Sequence, residues 1–129
     1  MGMAVAVACP KGYEPDAELM KWAAENGEFL CTENALEAAK DADVLYTDVW
    51  ASMGQESEAE ERKKIFKEYQ INNRVTSVAN KDVMILHCLP AHREEEITSE
   101  VFEAHANEIF NEAENRLHVQ KAVLVKCFE

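Results

Sequence analysis

Three short stretches of this sequence gather side chains that can do chemistry. The first, Asp48-Val49-Trp50-Ala51-Ser52-Met53-Gly54, brings together a carboxylate, a hydroxyl and a glycine. The second, His87-Cys88-Leu89-Pro90, sets an imidazole beside a thiol. The third, Glu112-Ala113-Glu114-Asn115-Arg116-Leu117-His118, offers an arginine among acids. A cysteine titrates near pH ~8.5, so it can relay protons, or attack once it is activated. Asp48 can bind and orient an amine, Ser52 can add a hydroxyl, and Gly54 lets backbone approach a ligand closely. Arginine is the usual fork for phosphate or carboxylate. Each residue also has a plainer role: Cys88 as a packed strand end, Asp48 as a turn cap, Trp50 as core, Arg116 as a solvated or ion-paired side chain. His92 reads as a loop residue, and His105 and His118 as surface residues. Spacing alone leaves both readings open.

These groups need elements to hold them. Val83-Met84-Ile85-Leu86 is an apolar run of the kind buried on both faces of a parallel sheet. Pro90 fixes its own φ and lacks an amide donor, so the strand ends before it. His87 and Cys88 then stand at its carboxyl end, the side on which open α/β sheets bind ligands. Further strands are expected at Ala4–Ala8, Phe29–Cys31 and Val44–Thr47, the last leading directly into Asp48.

Between the strands the pattern turns helical. Pro15 to Glu25 starts with acids and presents Leu19, Met20, Trp22 and Ala23 on one face. Thr32 or Asn34 caps a helix through Leu36 and Ala39. Glu58–Tyr69 and Ile71–Val78 read as two more helices, and Thr98 or Ser99 caps another. Ile109-Phe110 reads as a short final strand, and Glu114–Phe128 as a closing helix with Arg116 near its first turn. Strands alternating with helices imply an α/β fold: a Rossmann-like, three-layer parallel sheet of about four strands flanked by helices.

The 129 residues make one domain, 47% hydrophobic and 29% charged. A net charge of −12 speaks against nucleic acid, which wants clustered Lys and Arg. No apolar run approaches the ~20 residues that span a bilayer, so no membrane partner is expected. Cys9, Cys31, Cys88 and Cys127 form no CxxC pair and read as free thiols in a reducing cytoplasm, with no metal and no cofactor expected.

Taken together, Asp48–Gly54, His87-Cys88-Leu89-Pro90-Ala91-His92-Arg93 and Glu112–His118 resemble ornithine carbamoyltransferase, in the order and at the spacing of that family. The likeness extends from about Met1 to Val125. It implies that residues 1–129 are the second, ornithine-binding domain of such an enzyme. It also implies roles: Asp48, Ser52 and Met53 bind ornithine, and Cys88 and Asp48 are catalytic. Cys88, Leu89 and Arg116 would contact carbamoyl phosphate.

The resemblance equally implies what the sequence lacks. The family's phosphate loop and its His-Pro-x-Gln segment belong to an amino-terminal domain with no counterpart here, so carbamoyl phosphate would bind only with that domain. The family's first central strand, which lies between those matching Ala4–Ala8 and Val44–Thr47, is also absent, and the domain is expected to be incomplete at its N-terminus. Two unpaired edges would follow, and with them self-association. The expected activity is that of a carbamoyltransferase in arginine metabolism, with the isolated chain inactive. The alternative is a non-catalytic fragment or amino-acid-binding module that associates through its open edges.

Overall fold

The computed structural model describes residues 2–51 and 58–129. Four strands form, each close to its expected place: β1 (Val5–Ala8), β2 (Phe29–Thr32), β3 (Val44–Thr47) and β4 (Met84–His87). Helices α1 (Ala17–Asn26), α2 (Ala35–Ala39), α3 (Ala59–Phe66), α4 (Asn73–Thr76), α5 (Ser99–Ala104) and α6 (Ala106–Phe128) alternate with and follow them. The chain is thus a mixed α/β fold of short parallel sheets flanked by helices.

Side chains fix several helix starts. Asp16 accepts the amides of Glu18 and Leu19, and Asn34, rather than Thr32, those of Leu36 and Glu37. Thr98 accepts the amide of Val101.

The strands do not join into one sheet. β1 pairs in parallel with β2, and β3 with β4. Among the described residues, no strand pairing links β1 to β3. Both line a cleft of about 1450 Å³, together with Gly2, Met3, Leu86 and residues of α2. The four expected strands are present, but as two pairs that have not closed up on each other.

The core lies on one side of the β3–β4 pair. Leu45, Ile71, Val75, Val83, Ile85, Ile97, Val101, Phe102 and Ile109 are all buried. β4 is not covered on both faces as its apolar run suggests: Ile85 and His87 are fully buried, but Met84 is 44% exposed. Tyr46 and Val44 of β3 are exposed as well, and they line the cleft with Leu86. A strand's side chains alternate between faces, and here the face that carries Leu45, Ile85 and His87 is the buried one.

Two expectations need correction, and α1 adds little to the core, since Leu19 and Trp22 are largely exposed. Ile71 makes a bridge to Ile97 and only Asn73–Thr76 is helical. Ile109 and Phe110 are not a strand but belong to α6, with Ile109 fully buried against the core. No breaker interrupts Ala106–Asn115, so the helix runs on for 23 residues. Its later apolar positions, Leu117, Val119, Val123, Leu124 and Phe128, stay exposed.

Candidate functional site

Strand register builds the site. Thr47 lies opposite His87, so Asp48 and Cys88 leave the sheet side by side, at the carboxyl ends of adjacent parallel strands. The Cys88 thiol donates to Asp48 Oδ1 at 3.2 Å, and the Val49 amide donates to the same oxygen at 2.7 Å. Asp48 is exposed and lines the cleft, while Cys88 is half-buried. Burial pushes the Cys88 thiol above its ordinary value, and the hydrogen bond to Asp48 raises it further; Tyr46 acts in the opposite direction. The thiol is therefore protonated at neutral pH. Tyr46 is itself pushed up to about 12, by partial burial first and by Cys88 second.

The turn after β4 has an unusual backbone. Leu89 sits at φ +55°, the left-handed region, which costs a non-glycine residue on the order of 1–2 kcal/mol. Its amide donates to His87 Nδ1 at 2.9 Å. His87 Nε2 lies 2.9 Å from Glu96 Oε1, with both side chains 0% exposed. The same carboxylate oxygen accepts the His92 amide at 2.6 Å. Glu96 is held in place by its own backbone: its carbonyl accepts the Ile71 amide, and Glu94 donates to Ile97.

The expected site residues divide into three groups. Asp48 and Cys88 are brought together. Ser52 and Met53 lie outside the described residues, as does Gly54. Arg116 sits in the middle of α6, not near its first turn, because the helix begins ten residues earlier at Ala106. It is exposed, and among the described residues no hydrogen bond or ion pair ties it to Asp48 or Cys88. One helical turn before it, Glu112 is close enough for its charge to raise the Cys88 thiol. Leu89 follows Cys88, but its amide is already engaged by His87.

Sequence reasoning assigned no role to Tyr46, Glu96 or Glu112. Tyr46 carried a usable signal, since it lies two residues before Asp48 on the approach to the same strand end. Glu96 carried none: in the run Glu94-Glu95-Glu96 it reads as one more solvated acid.

Asp48, His87 and Cys88 place potential ligand atoms within 4.8 Å of one another. Both imidazole nitrogens of His87 are taken, one by Leu89 and one by Glu96, so the trio does not offer a metal three free donors.

Comparison with known proteins gives a consistent picture. The family model described as aspartate/ornithine carbamoyltransferase, Asp/Orn binding domain, matches residues 1–127. The ornithine carbamoyltransferase of Pyrococcus horikoshii is 54% identical over 129 residues, covering 96% of this chain and 41% of that protein. That of Methanosarcina acetivorans is 54% identical over 127 residues, covering 98% and 42%. Among solved structures, the anabolic ornithine carbamoyltransferase of Campylobacter jejuni superposes with a TM-score of 0.90 at 43% identity, covering 98% of this chain and 43% of that one. The Pyrococcus furiosus enzyme gives 0.85 at 54% identity, covering 95% and 41%. The chain thus spans about two fifths of the length of the relatives it matches.

Proposed function

Because this chain belongs to the aspartate/ornithine carbamoyltransferase family, matching its Asp/Orn binding domain, we propose that it is the ornithine-holding part of an ornithine carbamoyltransferase. That activity joins L-ornithine and carbamoyl phosphate into L-citrulline and phosphate, here in cytoplasmic arginine biosynthesis. The observation that carries the proposal is the pairing of the Cys88 thiol with the Asp48 carboxylate at two adjacent strand ends, 3.2 Å apart.

The chemistry follows from the pairing. Ornithine's δ-amine resembles a lysine, with a pKa of about 10.4, and arrives as an ammonium that cannot attack. Asp48 receives this cation. Cys88 passes its thiol proton to Asp48 as its sulfur takes a proton from the ammonium, leaving a neutral amine. The amine nitrogen then bonds to the carbamoyl carbon as the bond from that carbon to the phosphate oxygen breaks; the nitrogen's surplus proton passes to the departing phosphate, which leaves as hydrogen phosphate. Ser52 and Met53 grip the amino-acid end of ornithine. Cys88, the Leu89 backbone and Arg116 contact carbamoyl phosphate, whose remaining charge needs the family's amino-terminal domain. On this reading the completed sheet is Rossmann-like and residues 1–129 act as the second domain.

Titration calorimetry with ornithine tests the assignment. The chain should release heat that Asp48→Asn loses, and equal heats from both proteins would overturn it. The chain mixed alone with both substrates should yield no citrulline above background. Turnover would refute the dependence on an amino-terminal domain.

A second reading rests on the split sheet. β1 and β3 each have one edge with no strand partner among the described residues, and exposed edges invite pairing between copies. As an amino-acid-binding module or fragment, the chain would then self-associate through those edges. Sedimentation at high concentration should give a species heavier than 14.6 kDa, and a clean monomer would dismiss this reading.

A further inference from the structure

Glu96 is a fully buried carboxylate that neither catalysis nor ligand binding has so far used. One oxygen, Oε1, meets both His87 Nε2 and the His92 amide. The other, Oε2, is completely enclosed and has no hydrogen-bond partner among the described residues. Burying an acid in this way is costly, and a purely structural position would be filled more cheaply by an apolar side chain. Among the described residues no lysine or arginine is paired with it, and the ionisable partner it does have is the His87 ring.

The arrangement of donors around it suggests what it does. The Leu89 amide can only donate, so His87 Nδ1 must accept and carries no proton. The ring proton therefore sits on Nε2 and points to Glu96. Glu96 selects that tautomer by offering an acceptor where a backbone donor would select the other. A continuous chain results: His92 amide to Glu96, Glu96 to the His87 ring, and the ring to the Leu89 amide. It ties both ends of the turn that contains Cys88, and it holds Leu89 at φ +55°. Positive φ at a leucine persists only where the surroundings impose it.

We infer that Glu96 is a positioning residue: through the His87 ring it fixes the turn that sets the Cys88 sulfur against Asp48. This rests on the reading of Cys88 and Asp48 as the place where the ornithine amine binds, but its consequences for the turn can be measured without ornithine.

The test starts with the unmodified chain. Side-chain ¹⁵N NMR should find the His87 proton on Nε2 and a bare Nδ1; a proton on Nδ1 overturns the inference outright, with no variant needed. Next, the pH profile of Cys88 alkylation is compared in Glu96→Gln and Glu96→Met, read at the Cys88 peptide by mass spectrometry. Glutamine keeps a carbonyl acceptor and should preserve both the tautomer and the raised alkylation midpoint. Methionine has similar size and no such acceptor. It should move the midpoint down toward the ordinary thiol value of about 8.5 and scramble the His87 tautomer. A folded Glu96→Met protein with unchanged tautomer and profile refutes the role, as does a Glu96→Gln protein that behaves like methionine. Calorimetry with ornithine is the separate arm. If the unmodified chain binds no ornithine while the thiol and tautomer respond as described, the amine-site reading fails and the positioning role stands.

Discussion

At the residue scale the site is governed by one shared proton. Cys88 is held protonated by burial and by Asp48, which accepts its hydrogen bond and whose charge resists a thiolate. Replacing Asp48 by asparagine removes the charge and leaves a weaker acceptor. Asp48→Asn should therefore alkylate at Cys88 several-fold faster at pH 8 than the unmodified chain, read by peptide mass spectrometry. A slower or unchanged rate would mean that Asp48 does not hold the thiol proton. Cys9 makes a second titration prediction. Burial, then the Cys31 thiol 3.9 Å away, push Cys9 from 9.0 up to about 11. A thiol whose folded value is raised contributes stability that is fully present below the unfolded value and lost as pH rises through the folded one. Chemical denaturation midpoints should accordingly fall between pH 9 and about 11. Cys9→Ala should flatten that fall, and a slope unchanged by the substitution would point to other groups.

At the element scale, α6 does more than cover the core. The Ile85 amide in β4 donates to Glu108 Oε2 at 2.9 Å, and His105 Nδ1 lies 2.9 Å from the same oxygen. A helix carboxylate thus takes up an amide of a strand whose other edge is used by β3. Burial raises the Glu108 carboxyl, but Ile85 and His105 outweigh it and hold the carboxyl below its ordinary value. Its contribution is present above the unfolded value and lost as pH falls through the folded one. Glu108→Ala leaves a partly buried amide without its acceptor and should cost about 1–3 kcal/mol in urea denaturation. Loss of less than half of the lower figure would show that water replaces the carboxylate.

At the scale of the whole molecule, burial is uneven. Apart from Cys9, the buried apolar residues lie between Ala39 and Ile109, around β3, β4 and the helices behind them. β1, β2 and α1 contribute almost nothing to that core, and they meet the rest largely through α2. Regions with little buried apolar contact open most readily. Amides of β1 and β2 should therefore exchange with deuterium faster than those of β3 and β4. Equal protection in both pairs would show that something spans the cleft in solution, and the sedimentation experiment would say whether a second copy does.

Much of this was legible in the sequence, and for clear reasons. Strands announced themselves as short apolar runs closed by polar or proline residues, and Val44–Thr47 needs no change. Asp16 and Asn34 stand where caps are required, because their side chains reach the free amides of the next turn. Asp48 and Cys88 were readable as strand-end residues, and the family likeness through His87-Cys88-Leu89-Pro90 named their chemistry. What local pattern could not supply was which faces find a partner. Leu19, Trp22, Met84 and Leu124 look like core by type, yet burial needs an opposing surface, and among the described residues each stays largely exposed. The split of four strands into two pairs, the path of α6 through Ile109 and the burial of Glu96 beneath His87 were decided only by tertiary structure. Each depends on residues distant in sequence meeting across space: Ile85 with Glu108, His87 with Glu96, Ile71 with Ile97. A side chain's type fixes what bonds it can make, and only the fold fixes which of them it does.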